Sequence, residues 1–174
     1  MAGRRRTTDS LEARRTTGSN EVLDRLFVYA TLRQGQTARS LIANRITRCV
    51  AASVPGLIYA FPMGWAGFVD ERTGGGDPAG FAGGAGGKAL RGVDERSERP
   101  RRVTGEVLWL TDLPATFGLL DAYEGDDFAR VIMQAELSTG EPVWSWIYVL
   151  ADPDTVKHGL LIDGGDWARY VLPQ

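Results

Sequence analysis

The stretch "TGGGDPAGFAGGAGGKALRGVDERSERP", residues 73–100, constrains the fold more than any other part of the chain. Glycine dominates its first half and charge its second, so few of its side chains can build a core. It reads as a flexible surface insertion inside one domain, not as a boundary between two. At 174 residues the chain is long enough for one domain with a substantial core and short for two. The expected organisation is a disordered basic tail over 1–23 and a single domain over 24–174 that carries the insertion. Within the insertion, "GGAGGKA" invites a phosphate-loop reading. Ala82 stands where that motif needs glycine, Ala89 where it needs Ser or Thr, and no strand leads into it. That reading is rejected.

Either side of the insertion the sequence is patterned. "RLFVYATL" (25–32) is rich in β-branched and aromatic residues, apolar on both faces, and predicts a central strand. "RQGQT" is a turn, and Leu41, Ile42, Arg45 and Ile46 in "ARSLIANRITRC" (38–49) fall at helical spacing. "VAASVPGLIYAF" (50–61) predicts a strand, with Pro55 favouring an edge or a bulge. "RVTGEVLWL" (102–110) alternates as a strand. In "TDLPATFGLLDAYEG", Thr111 or Asp112 can cap a helix, Pro114 fits its first turn and Gly125 suits a positive-φ stop. "FARVIMQAEL" and "VWSWIYVL" are further strands joined by the hairpin-like "STGEP", and "HGLLIDGGDWARYV" is a loop with a short terminal segment. Strands outnumber helices, with hairpins as well as crossovers, so the expected class is α+β, a small mixed sheet or barrel with a few helices.

Composition narrows the function. A formal net charge of −2 gives no electrostatic reason to expect nucleic acid or an anionic membrane as partner. Cys49 is the single cysteine and His158 the single histidine, so neither an internal disulfide nor a Cys/His zinc site is available. The cysteine count suits a reducing cytoplasm. No apolar run approaches the roughly 18 residues of a membrane helix, and no apolar segment follows the N-terminal arginines as a signal peptide would need.

One glutamate stands out. On the helix 113–124, Phe117, Leu120 and Glu124 lie at i, i+3 and i+7, so Glu124 shares the core-facing side. It also sits in the last turn, where unpaired carbonyls disfavour a negative charge. Both circumstances raise a carboxyl pKa, as do the acids nearby, and a carboxyl poised near neutrality suits general acid–base chemistry. The plain alternative is an ion pair with Arg130 or a side chain that escapes to solvent. Asp126 and Asp127 read as solvated turn residues.

Two of these stretches together resemble a known family. "VYATLRQG" resembles the V-Y-G-[ST]-L-[RK]-x-G signature of the γ-glutamylcyclotransferase-like family, and "LLDAYEGDDFARV" resembles its L-D-x-[YFL]-E-G…[YF]-x-R segment. "GEVLWL", "WIYVL" and "GGDWARY" follow in the family's order, so the resemblance covers about residues 25–170 apart from the insertion. It implies a small barrel-like α+β fold and a cofactor-free reaction on a small γ-glutamyl compound. In that reaction the α-amine attacks the γ-carbonyl and releases 5-oxoproline and an amine. It implies Glu124 as proton acceptor and Tyr29, Ala30, Thr31 and Leu32 as the substrate loop, with Arg33 and Tyr148 as further candidates for substrate contact. Arg130 and Trp167 match the pattern but read first as structural.

The chain departs from the pattern at Ala30, where the family has glycine, and at Ala38, where an asparagine is common. Alanine at 30 adds a methyl group, and a penalty of order 1 kcal/mol if the backbone there is left-handed. Two other readings stay open: a catalytically silent ligand-binding or regulatory protein of the same fold, and an adaptor that uses its basic N-terminal arm.

Overall fold

The computed structural model describes residues 23–70 and 101–170. The expected insertion over 73–100 and almost all of the expected tail over 1–23 lie outside the described residues. Five strands close into a barrel in the order β1 (Arg25–Val28), β5 (Arg102–Leu110), β2 (Ile46–Pro55), β6 (Phe128–Leu137), β7 (Pro142–Leu150). All neighbours run antiparallel except where β7 meets β1 in parallel at Leu26 and Trp146 and shuts the barrel. A three-stranded sheet, β4 (Ala66–Val69), β3 (Leu57–Ala60) and β8 (Leu160–Leu161), packs beside it. The expected α+β barrel-like class is what the chain adopts. Among the described residues, no helix is long and apolar enough to cross a membrane.

Alternation along the strands divides the apolar side chains between two cores. Phe27, Val54, Val103, Val107, Ala135 and Ile147 form one, which continues through Ile58 and Phe68 into the small sheet. Leu26, Val28, Leu108 and Leu110 face the other way and meet Phe117 and Leu120 of α1 (Leu113–Glu124). β1 is therefore apolar on both faces because each face is covered. Gly105 is what lets β1 and β5 approach so closely. A Cβ there would collide with the Val28 carbonyl oxygen and the Phe27 ring.

Several boundaries differ from expectation for local reasons. The segment 38–49 is not a helix. Two short 3₁₀ turns, Arg39–Leu41 and Ala43–Arg45, give way at Ile46 to β2, because pairing with β5 from Leu110 to Arg102 claims the backbone that a helix would need. The stretch 50–61 is two strands in two sheets, broken after Pro55, which ends β2 beyond the residues that pair with β6. β1 stops at Val28, four residues earlier than its composition suggests.

The helix 113–124 forms as expected, with Pro114 in its first turn and Gly125 at φ +70° just past its end, where the Gly125 N–H donates to Asp121 O at 3.0 Å. Its start differs. Neither Thr111 nor Asp112 caps it through a side chain. Asp112 adopts φ +47°, and it is Thr116 whose hydroxyl donates back to Thr111 O at 2.9 Å.

Candidate active site

Where β1 ends, the chain turns sharply. The Arg33 N–H donates to Ala30 O at 3.0 Å and the Ala38 N–H to Thr31 O at 2.9 Å. Among the described residues, the N–H groups of Ala30, Thr31 and Leu32 have no protein acceptor. Tyr29, buried, roots the turn: its hydroxyl donates to Tyr148 O on β7 at 3.0 Å. Burial and the charge of nearby Glu124 push its pKa well up, so it stays a phenol.

Ala30 is not strained. Among the described non-glycine residues only Asp112 has positive φ, so the left-handed penalty considered for alanine does not arise. Ala38 is buried among apolar neighbours in place of the polar contacts an asparagine would make.

A second layer clamps the turn. Glu106 of β5, 13% exposed, accepts the Gln34 N–H at 3.1 Å and Arg39 Nη1 at 3.3 Å, with Arg33 Nε at 3.9 Å. Arg39 Nη1 also reaches Leu32 O at 3.2 Å. Arg33 Nη1 pairs with Asp166 at 2.7 Å. The Arg33 guanidinium is thus used within the protein, and Arg33 is not on the wall of the cavity described next. The sequence suggested it for substrate contact; the fold employs it to fasten the loop. Cys49 Sγ lies 3.4 Å from the same Glu106 carboxylate, and burial pushes its thiol pKa up.

The other sequence candidates converge on one cavity of about 280 Å³. Tyr29, Ala30, Thr31, Leu32, Glu124 and Tyr148 all line it. The buried Phe27, Tyr29 and Ala66 line it, and so do the more exposed Trp65, Tyr123, Asp127 and Phe128, whose exposure marks the side open to solvent. Glu124 is partly buried, and loss of solvent raises its carboxyl from the ordinary 4.5 to about 7. Among the described residues it has no hydrogen-bond or ion-pair partner.

The expected contribution of neighbouring acids to that rise is absent, and burial alone accounts for it. Asp121 is engaged elsewhere, accepting the Tyr148 hydroxyl at 2.6 Å and pairing with Arg130 at 3.4 Å. The alternative pairing of Glu124 with Arg130 is likewise not made. The Arg130 guanidinium lies 3.9 Å over the Phe117 ring and 5.1 Å from that of Trp146. Trp167 stacks on Tyr170 with centroids 6.0 Å apart. Tyr148 does both things asked of it, lining the cavity while its hydroxyl is held by Asp121.

Sequence reasoning did not single out Trp65, Tyr123 or Phe128, and it took Asp127 for a solvated turn residue. Only Phe61 and Trp65, aromatics four apart across "PMG", offered a local signal, and they do stack, at 3.8 Å and 11°. Among the described residues, no group of three or more His, Cys, Asp or Glu is placed to hold a metal ion.

Residues 85–169 match the sequence model of the family described as gamma-glutamyl cyclotransferase, AIG2-like. The family resemblance is thus shown. The matched span holds β5, α1 with Glu124, and β6 to β8, whereas the Tyr29–Leu32 turn precedes it and joins the site through the barrel. Among curated proteins, none matches the sequence. Among solved structures, YkqA from Bacillus subtilis is similar at TM-score 0.53 and 18% identity, over 84% of this chain and 40% of that one. The uropathogenic E. coli-specific protein c4763 is similar at 0.53 and 16%, over 86% of this chain and 95% of that one. An AIG2-like protein from Mus musculus aligns at 0.46 and 15%, over 76% and 81%. This chain therefore spans less than half the length of YkqA and nearly all of c4763. At such identities the likeness is one of fold.

Proposed function

We propose that the chain is a γ-glutamyl cyclotransferase-type enzyme that needs no cofactor and converts a γ-glutamyl compound to 5-oxoproline and a free amine. The observation that carries this reading is Glu124, a carboxyl with pKa near 7 and no protein partner among the described residues, facing the same cavity as the Tyr29–Leu32 turn. Cyclisation to a five-membered ring has a high effective molarity, so the reaction asks for no covalent nucleophile. It asks for a proton acceptor, a place for an oxyanion and a proton for the leaving nitrogen.

Glu124 takes a proton from the substrate α-ammonium, and the freed amine attacks the γ-carbonyl carbon. The resulting oxyanion is met by N–H groups of the 30–32 turn, which have no protein acceptors among the described residues. The bond from the γ-carbon to the leaving nitrogen then breaks as Glu124 returns its proton to that nitrogen, and the second proton of the ring nitrogen passes to the released amine, which departs as an ammonium. A carboxyl near 7 serves both transfers at neutral pH, since neither its acid nor its base form is scarce.

The test is incubation of the purified chain with a panel of γ-glutamyl amides and γ-glutamyl amino acids, followed by quantification of 5-oxoproline. Release from at least one member, lost in Glu124→Gln, supports the reading. Saturable binding of the panel without release would make the protein the silent ligand-binding relative instead.

A further inference from the structure

The cavity lining runs from buried to exposed residues, and those on its exposed side, its mouth, carry chemistry that the cyclisation itself does not use. Trp65 lies there with Phe61 stacked flat against it, and Phe61 does not itself reach the cavity. Phe128 meets the Trp65 ring edge-on, with centroids 5.7 Å apart at 73°. Tyr123, 46% exposed, stands at the same opening, its hydroxyl 3.3 Å from Thr31 Oγ1. These rings are partly exposed yet backed by others, so a ligand can stack on them without first immobilising them.

The charge inventory is equally one-sided. Among the described residues that line the cavity, none is Lys, Arg or His, and two, Glu124 and Asp127, are acidic. Arg130 pairs with Asp121 and lies over two rings, and Arg33 pairs with Asp166 and approaches Glu106. The N–H groups of the 30–32 turn, assigned above to the oxyanion, are backbone donors to this cavity with no protein acceptor among the described residues. A second carboxylate, carried on the leaving half of a substrate, would meet no cation among the described lining residues.

We propose that this mouth selects γ-glutamyl amides whose amine half bears a flat aromatic ring and no carboxylate. The inference rests on the γ-glutamyl reading above and extends it to the leaving group. The glutamyl half occupies the buried side, beside Glu124, Tyr29 and Tyr148, and the ring of the amine stacks in the corner formed by Trp65 and Phe128. A volume of about 280 Å³ is near the lower end of the roughly 300–1,000 Å³ usual for small-molecule sites, which favours one compact amine over a peptide. Asp127 works as a repulsive element against dipeptide-like and amino-acid conjugates.

The experiment compares kcat/KM for 5-oxoproline release from γ-glutamyl benzylamide, γ-glutamyl methylamide and γ-glutamylglycine. An aromatic contact of this kind is worth up to about tenfold, so the benzylamide should exceed the methylamide by about that factor. The glycine conjugate should be poorest. Trp65→Leu, which keeps apolar bulk, should bring the benzyl-to-methyl ratio to near one. Tyr123→Ala, at an exposed position, should lower the same ratio should the Trp65 variant not fold. Asp127→Asn should raise the glycine conjugate relative to the methylamide.

Equal use of benzylamide and methylamide, or a preference for the glycine conjugate, overturns this inference and leaves the cyclotransferase reading standing. Ratios unmoved by any of these variants overturn it too. Release of 5-oxoproline from none of the three, nor from the wider panel, overturns both.

Discussion

Replacing Glu124 by glutamine should make the protein more stable, and by an amount that depends on pH. The folded chain holds this carboxyl at about 7 against an ordinary 4.5, because burial disfavours its charged form. Below pH 4.5 the group is neutral in both folded and unfolded chains, and glutamine changes little. Between 4.5 and about 7 the unfolded chain releases the proton while the folded chain keeps it. Stability of the wild type therefore falls by about 1.4 kcal/mol for each pH unit. Above about 7 the penalty is complete, at about 3 kcal/mol, and constant.

Glutamine has nearly the same shape and no charge, so Glu124→Gln is free of the penalty. For a chain of this size, 1 kcal/mol moves Tm by roughly 2–4 °C. The variant should melt within a degree or so of wild type at pH 4 and about 6–12 °C above it at pH 8.5. The assay is Tm against pH for both proteins by circular dichroism. A gap between wild type and Glu124→Gln that stays constant with pH would refute the reasoning, since the carboxyl would then not be held near neutrality.

Two further predictions concern the turn. Ala30→Gly should lower stability by about 0.5–1 kcal/mol, because alanine there has no positive φ to relieve and glycine loses more conformational freedom on folding. A higher Tm in that variant would reveal strain that the backbone does not show. Glu106→Gln leaves Arg33 and Arg39 without their shared carboxylate and should cost about 2 kcal/mol, read as a lower Tm. It should also lower kcat/KM by loosening the turn, while any pH dependence set by Glu124 stays where it was. Wild-type Tm in this variant would mean the clamp does not hold the loop.

What the sequence made legible follows physical lines. The helix 113–124 could be read because Pro114, Gly125 and the spacing of Phe117, Leu120 and Glu124 are all local signals, and Glu124 stood out as a charge on the covered face. The strands 102–110 and 128–137 alternate or carry β-branched residues, so their ends came out as drawn. The segment 38–49 misled because Leu41, Ile42 and Ile46 at helical spacing also suit a pair of 3₁₀ turns, and only the pairing of β2 with β5 decides between them.

The mouth of the cavity was not legible. Trp65 and Phe128 are far apart in sequence and meet only because β4 packs against β7, with Leu150 lying close over Gly67. Asp127 looked like any turn acid, and nothing within the turn says that it borders a cavity. Arg33 looked available because its partners, Asp166 and Glu106, arrive from distant parts of the chain.

The most direct test of the central claim is the pH dependence of kcat/KM for 5-oxoproline release from whichever γ-glutamyl amide the protein turns over best. With Glu124 as proton acceptor, kcat/KM should climb about tenfold per pH unit and level off near 7, and Glu124→Gln should abolish that limb together with the activity. A profile that is flat through pH 5–8, or one that keeps its shape and rate in Glu124→Gln, would contradict it.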